Sequence, residues 1–177
     1  MRINTTCSLI LLGLLLTVCG CSDSNNVSKP EPIELTERVA MLMGAWPHAN
    51  AIIETGKATA VRIGKDDQFK ENTLGERIDL TSEQRQTLVG LLAREDAYLW
   101  DIQKDCLPTP GVLIEFTDGA TYARVRLCFS CQMVEYTPGS SGNFDPINTE
   151  LVDWVKGVFP EDEAIQSLGT PDAASGL

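Results

Sequence analysis

Histidine is almost absent from this chain, and the motifs on which many hydrolases and nucleotide-binding proteins depend are missing. His48 is the only histidine among 177 residues, and after Pro47 it is expected in a solvated loop. The sequence has no G-x-S-x-G elbow and no glycine-rich loop ending in a phosphate-binding lysine. It therefore predicts no catalytic residues and no cofactor, and it favours a protein that is not an enzyme.

The first 20 residues contain an apolar run after a positive charge, and no later apolar run is long enough to span a bilayer. Arg2 is followed by the uncharged run 9–16, which is shorter than the roughly 20 apolar residues of a membrane-spanning helix. The run leads into Val18-Cys19-Gly20-Cys21, which resembles the lipobox of bacterial lipoproteins. We expect a signal peptide over residues 1–20, cut before Cys21. An ordinary secretory signal or an uncleaved anchor are the alternatives.

The lipobox resemblance implies a lipidated cysteine and an address in the cell envelope. Cys21 would carry acyl chains such as palmitate, and several chains together anchor a protein stably. Ser22, rather than an aspartate, follows Cys21. The expected location is therefore the outer membrane facing the periplasm, if the cell has two membranes. The membrane is then one partner, through the lipid anchor, and the sequence identifies no protein partner.

Positive charge is scarce. Without the signal, which holds one cation and no acid, 13 Lys and Arg stand against 25 Asp and Glu, a net charge of −12. Such a surface disfavours nucleic acid and anionic lipid as binding partners.

The mature chain divides into three parts by composition. Residues 21–32 are polar and contain prolines, so they predict a flexible tether. Residues 33–169 are long enough for one domain. Residues 170–177 are mostly small and predict a disordered tail.

Hydrophobic periodicity predicts the elements of the domain. Helices are expected at 34–43, 81–94 and 145–159, and strands at 58–63, 111–117, 122–129 and 132–136, with a further short strand near 76–80. Thr81 and Gln84 form a capping-box pattern, and Asp118-Gly119 is a tight-turn signal. The order predicts an α+β fold, an antiparallel sheet of about four strands with helices packed on one face.

Three cysteines remain outside the signal and Cys21: Cys106, Cys128 and Cys131. A structural disulfide from Cys106 to Cys128 or Cys131 is favoured, because a hairpin turning at 118–119 brings positions 108–110 beside 127–129. Cys128 is the preferred partner, since it shares a strand face with Arg124 and should be more exposed than Cys131. Two alternatives stay open: a Cys128–Cys131 redox pair, and a metal site formed by the three cysteines with His48.

Four aromatic residues could line a ligand groove, although such residues more often lie in the core. They are Tyr98, Trp100, Tyr136 and Trp154.

The C-terminal half resembles a family of uncharacterised bacterial exported proteins. The resemblance rests on Leu127-Cys128-Phe129-x-Cys131 and on Phe159-Pro160-x-Asp162-x-x-Ile165-Gln166-x-Leu168, and it spans roughly residues 106–168. It implies kinship and transfers no activity.

Overall fold

A computed structural model describes residues 32–65, 70–102, 104, 111–117 and 121–169. Every element below belongs to one compact unit, Pro32–Leu177. Within the described ranges, no helix combines the length and apolarity needed to cross a membrane.

The described residues form an α+β fold of five α-helices and seven strands, so the predicted class is confirmed. The helices are α1 Glu37–Leu42, α2 Trp46–Glu54, α3 Ser82–Leu92, α4 Asn148–Val158 and α5 Glu163–Gln166. The strands are β1 Ala58–Lys65, β2 Glu71–Thr73, β3 Ile78–Asp79, β4 Val112–Thr117, β5 Tyr122–Cys128, β6 Met133–Thr137 and β7 Ser141–Asn143. The estimate of about four strands was too low: β3 lies within the short strand expected near 76–80, whereas β2 and β7, of three residues each, are too short to show periodicity.

All seven strands belong to one antiparallel sheet. Its order is β2-β1-β4-β5-β6-β7, and β3 pairs with β1 beyond the end of β2. In the central hairpin Val112 pairs with Leu127 and Ile114 with Val125. These inward-facing side chains are fully buried and share one hydrophobic cluster with residues of α1, α2, α3 and α4. This cluster is the main core and lies on the helical face of the sheet.

The opposite face of the sheet is partly covered by the chain itself. Val61, Ile63 and Leu113 form a second, smaller buried cluster there. Arg126 on β5 donates from Nε to Glu71 Oε2 on β2 at 2.8 Å. Because β1 and β4 separate these strands in the sheet order, the contact requires β2 to curl over this face. The curl shields the small cluster from water.

Helix α2 was not expected from the sequence. The expected helix ends at position 43 and the residues after Pro47 are expected in a loop, but Pro47 occupies the first turn of α2, where its missing N–H costs no hydrogen bond. The helix packs against β4 and β5. It therefore covers the central hairpin, and His48 lies in a helix rather than in the predicted loop.

The corner between α1 and α2 touches the loop between β6 and β7, backbone against backbone. Gly44 adopts φ +98°, and a Cβ added there would lie 2.1 Å from the Pro138 carbonyl oxygen. Gly139 adopts φ +151°, and its Cβ would lie 2.7 Å from the Leu42 carbonyl oxygen. That carbonyl also accepts a hydrogen bond from Ser140 N at 3.0 Å. Only glycine fits both positions.

Candidate binding groove

The CxxC motif lies at the junction of two strands. Cys128 ends β5, and Cys131 lies in the four-residue turn that leads into β6. Among the described residues no helix begins at the motif, whereas redox-active CxxC proteins place the motif at a helix N-terminus, which lowers the thiol pKa. The expectation that a strand follows the motif is confirmed.

The cysteine pairing differs from the preferred one. Cys128 carries a free thiol, so the preference for Cys106–Cys128 was wrong. It was also wrong to expect Cys128 to be the exposed thiol, since Cys128 and Cys131 are 3% and 4% exposed. Cys131, by contrast, is not a free thiol. Cys106, like Cys21, lies outside the described residues, so the partner of Cys131 stays a prediction.

The register of the hairpin explains why the preferred pairing failed. Gly111 N donates to Leu127 O at 2.9 Å, and the Val112–Leu127 pair fixes the alignment. The expectation had placed positions 108–110 beside 127–129, whereas Leu127 lies opposite Val112. Lys104 Nζ also donates to Cys131 O at 2.8 Å. Because Lys104 is two residues before Cys106 in sequence, this contact supports the prediction that Cys106 is the partner of Cys131.

No group of three or more metal-ligating side chains occurs among the described residues. His48 is half-buried, and its Nδ1 atom has no hydrogen-bond partner within the part of the chain that the structure describes. The four aromatic residues considered as groove lining lie elsewhere. The hydroxyls of Tyr98 and Tyr136 hydrogen-bond each other at 2.7 Å in the core, where burial raises both pKa values.

Among the described residues, a concavity suited to binding lies where β1, the β2–β3 segment and the C-terminal helices meet. Two adjoining cavities share Arg62 and Leu74; we call them together the Leu74 groove. The first encloses about 270 Å³, and its lining includes Ile63, Phe129, Ile165 and Leu168. The second encloses about 370 Å³ and is lined in part by Ile78, Phe159, Glu76 and Glu161. An apolar concavity with a few polar groups is the usual form of a binding site.

Arg62 and Asp162 form an ion pair at the groove. Arg62 lines both cavities, and Asp162 lines the second. Arg62 points to the helical face of β1, since it pairs across the sheet with Val112. Its Nε donates to Asp162 Oδ2 at 2.8 Å and its Nη1 to Gly111 O at 2.9 Å. Asp162 is the N-cap of α5, and its Oδ1 accepts from Ile165 N at 3.0 Å. The pair thus ties the C-terminal segment to the sheet.

The electrostatics of this pair favour its charged form. Burial alone raises the pKa of Asp162, but the hydrogen bonds from the Ile165 backbone and from Arg62 outweigh it, so the pKa is lowered. Asp162 is therefore a carboxylate at neutral pH and forms an ion pair with Arg62. The arginine is held as a structural group.

Sequence reasoning did not find this groove. One signal was available: Arg62 interrupts the apolar strand Val61-Arg62-Ile63 at a position that faces the main core. A cation at such a position needs a partner, and the only way to find Asp162 was through the tertiary fold. The other lining residues come from separate segments that no spacing rule connects.

Comparison of the chain with protein-family models, with curated proteins and with solved structures finds no match. The resemblance to exported proteins stays a prediction, and the function has to be argued from the groove and the N-terminal sequence.

Proposed function

We propose that this chain is a lipid-anchored protein of the bacterial cell envelope that binds a partner in the Leu74 groove and catalyses no reaction. The anchor is supported by Val18-Cys19-Gly20-Cys21 after the apolar run. The binding role is carried by one observation, the pair of apolar cavities that meet at Arg62 and Leu74.

The groove offers surface for binding and little for chemistry. Leu74 is 47% exposed, so it can lose water-accessible area when a ligand covers it. The strongest polar groups, Arg62 and Asp162, already bond each other and backbone atoms. Among the described lining residues, we find no nucleophile hydrogen-bonded to a base, the arrangement that covalent catalysis needs.

The anchor is tested by replacing Cys21 with serine and following the chain through detergent phase separation and mass spectrometry. We expect the wild type in the detergent phase with the mass of an acylated mature chain, and the variant in the aqueous phase or unprocessed. A variant that partitions at the acylated mass would contradict the anchor.

The groove is tested by placing a photo-crosslinking amino acid at position 74 in living cells. Position 41 is the matched control, because Met41 is another exposed large apolar residue, at 59%. We expect one defined adduct from position 74 that is missing from position 41 and is lost with Leu168→Asp. Equal adducts from both positions, or none from 74, would overturn the groove as the binding surface.

A further inference from the structure

We propose that the Leu74 groove binds an extended polypeptide segment that carries apolar side chains next to a lysine or arginine. This inference rests on the proposed function, because it names the chemical class of the partner for the same groove.

The apolar part of the recognition comes from the first cavity. Ile63, Phe129 and Leu168 line it together with Leu74. A cavity of about 270 Å³ is small beside the 300–1,000 Å³ typical of drug-sized ligand sites. It therefore has room for one or two side chains of a longer partner.

The charged part comes from the second cavity. Its lining holds one arginine, Arg62, and three carboxylates, Glu76, Glu161 and Asp162, which leaves two negative charges in excess. Asp162 is already paired with Arg62. Glu76 and Glu161 are exposed, and neither forms an ion pair with another described residue.

The neighbouring cation does not neutralise this rim. Arg77 follows Glu76 directly, but it is bound to Glu115 on the opposite face of the sheet. The net charge of −12 outside the signal extends the same field over the molecule, and such a field attracts cationic ligands and speeds their association. Charge complementarity therefore favours a basic partner.

The polypeptide nature of the partner follows from the backbone at the rim. Between β2 and β3, residues 75–77 do not pair with β1. The last hydrogen bond before this gap runs from Leu74 N to Arg62 O at 2.8 Å, and pairing with β1 resumes at Ile78. Within the described residues, Gly75, Glu76 and Arg77 show no backbone hydrogen bond. An extended chain can bond such groups while its alternate side chains enter adjoining cavities.

The test uses three fluorescent, end-capped octapeptides and the full-length chain in a non-ionic detergent, with protein-free detergent as the blank. The first peptide contains two leucines flanked by two lysines, the second has glutamates in place of the lysines, and the third has serines in place of the leucines. Binding is followed by fluorescence anisotropy. We expect the first peptide to bind roughly ten-fold tighter than the second, since exposed charge pairs are individually weak, and the third not to saturate.

Matched variants tie this preference to the groove. Glu76→Gln together with Glu161→Gln should weaken the lysine peptide about three- to ten-fold, whereas Glu54→Gln, an exposed glutamate of α2, should leave it unchanged. Leu74→Ser should weaken both leucine peptides, and Met41→Ser neither.

The outcomes separate this inference from the proposed function. If the glutamate peptide binds as tightly as the lysine peptide in a Leu74-dependent way, the groove stands and the basic partner is refuted. If the third peptide, with serines in place of the leucines, binds as tightly as the first, the acidic surface alone accounts for the binding and the inference fails. If no leucine peptide binds in a Leu74-dependent way, the groove fails and the proposed function fails with it.

Discussion

The Arg62–Asp162 pair predicts two separable losses of stability when Asp162 is changed. Asp162→Ala removes the N-cap of α5 and the ion pair together, whereas Asp162→Asn keeps a capping oxygen for Ile165 N and removes only the charge. A lost cap costs about 1 kcal/mol. The ion pair is worth a further ~1 kcal/mol, since its side chains are 16% and 25% exposed and water screens part of the attraction.

We therefore expect the free energy of unfolding to fall by about 1 kcal/mol for Asp162→Asn and about 2 kcal/mol for Asp162→Ala. The assay is urea unfolding followed by tryptophan fluorescence, with Trp154 buried in the core. A double-mutant cycle with Arg62→Met isolates the pair. A coupling energy below about 0.3 kcal/mol, or equal losses for the two Asp162 variants, would refute this assignment of roles.

The dependence on pH follows from the lowered pKa of Asp162. A carboxyl whose pKa is lower in the folded chain contributes fully above its unfolded pKa of about 4 and loses that contribution as pH falls through the folded value. The difference in stability between the wild type and Asp162→Asn should therefore be constant from about pH 5 to 8 and shrink below about pH 4. A difference that grows toward acid pH would show that the sign is wrong.

Three further outcomes are expected. Leu127→Ala should lower the free energy of unfolding by about 2–5 kcal/mol, because Leu127 is fully buried in the main core; a change below about 0.5 kcal/mol would place this strand face elsewhere. Non-reducing peptide mapping should find Cys106 linked to Cys131 and only Cys128 modified by a thiol reagent after denaturation, whereas a Cys128 link would contradict this pairing. Tyr136→Phe should cost about 1 kcal/mol, since it removes a buried hydroxyl pair of 2.7 Å; a variant as stable as wild type in urea would show that this hydrogen bond contributes nothing.

Local signals predicted the long elements well. Thr81 and Gln84 form the expected capping box, with both hydrogen bonds present. The alternation in the two central strands correctly separated the buried side chains, such as Val125 and Leu127, from the charged ones. These features depend on neighbours in sequence or on a period of two, so a single sequence contains enough information to find them.

The failures have a common physical origin in tertiary contacts. Pro47 has the same sequence signature whether a helix ends before it or begins with it, and only the turn at Gly44 and Ala45, both at positive φ, decides between them. The short strands are held by their partners and have no period of their own. The Leu74 groove joins β1, the β2–β3 segment and the C-terminal helices, and its key ion pair links residues 100 positions apart.

The close approach of Gly44 and Gly139 gives any saturation mutagenesis of this protein an internal standard. Nearly every substitution at these two positions must push the helix corner and the hairpin loop apart, although neither residue lines the groove. The depletion of variants at Gly44 and Gly139 in a selection therefore measures the effect of lost folding without a direct effect on the groove. Variants at Leu74 or Glu161 that are depleted in a binding selection, while a folding reporter stays at wild-type level, can then be attributed to the loss of the partner.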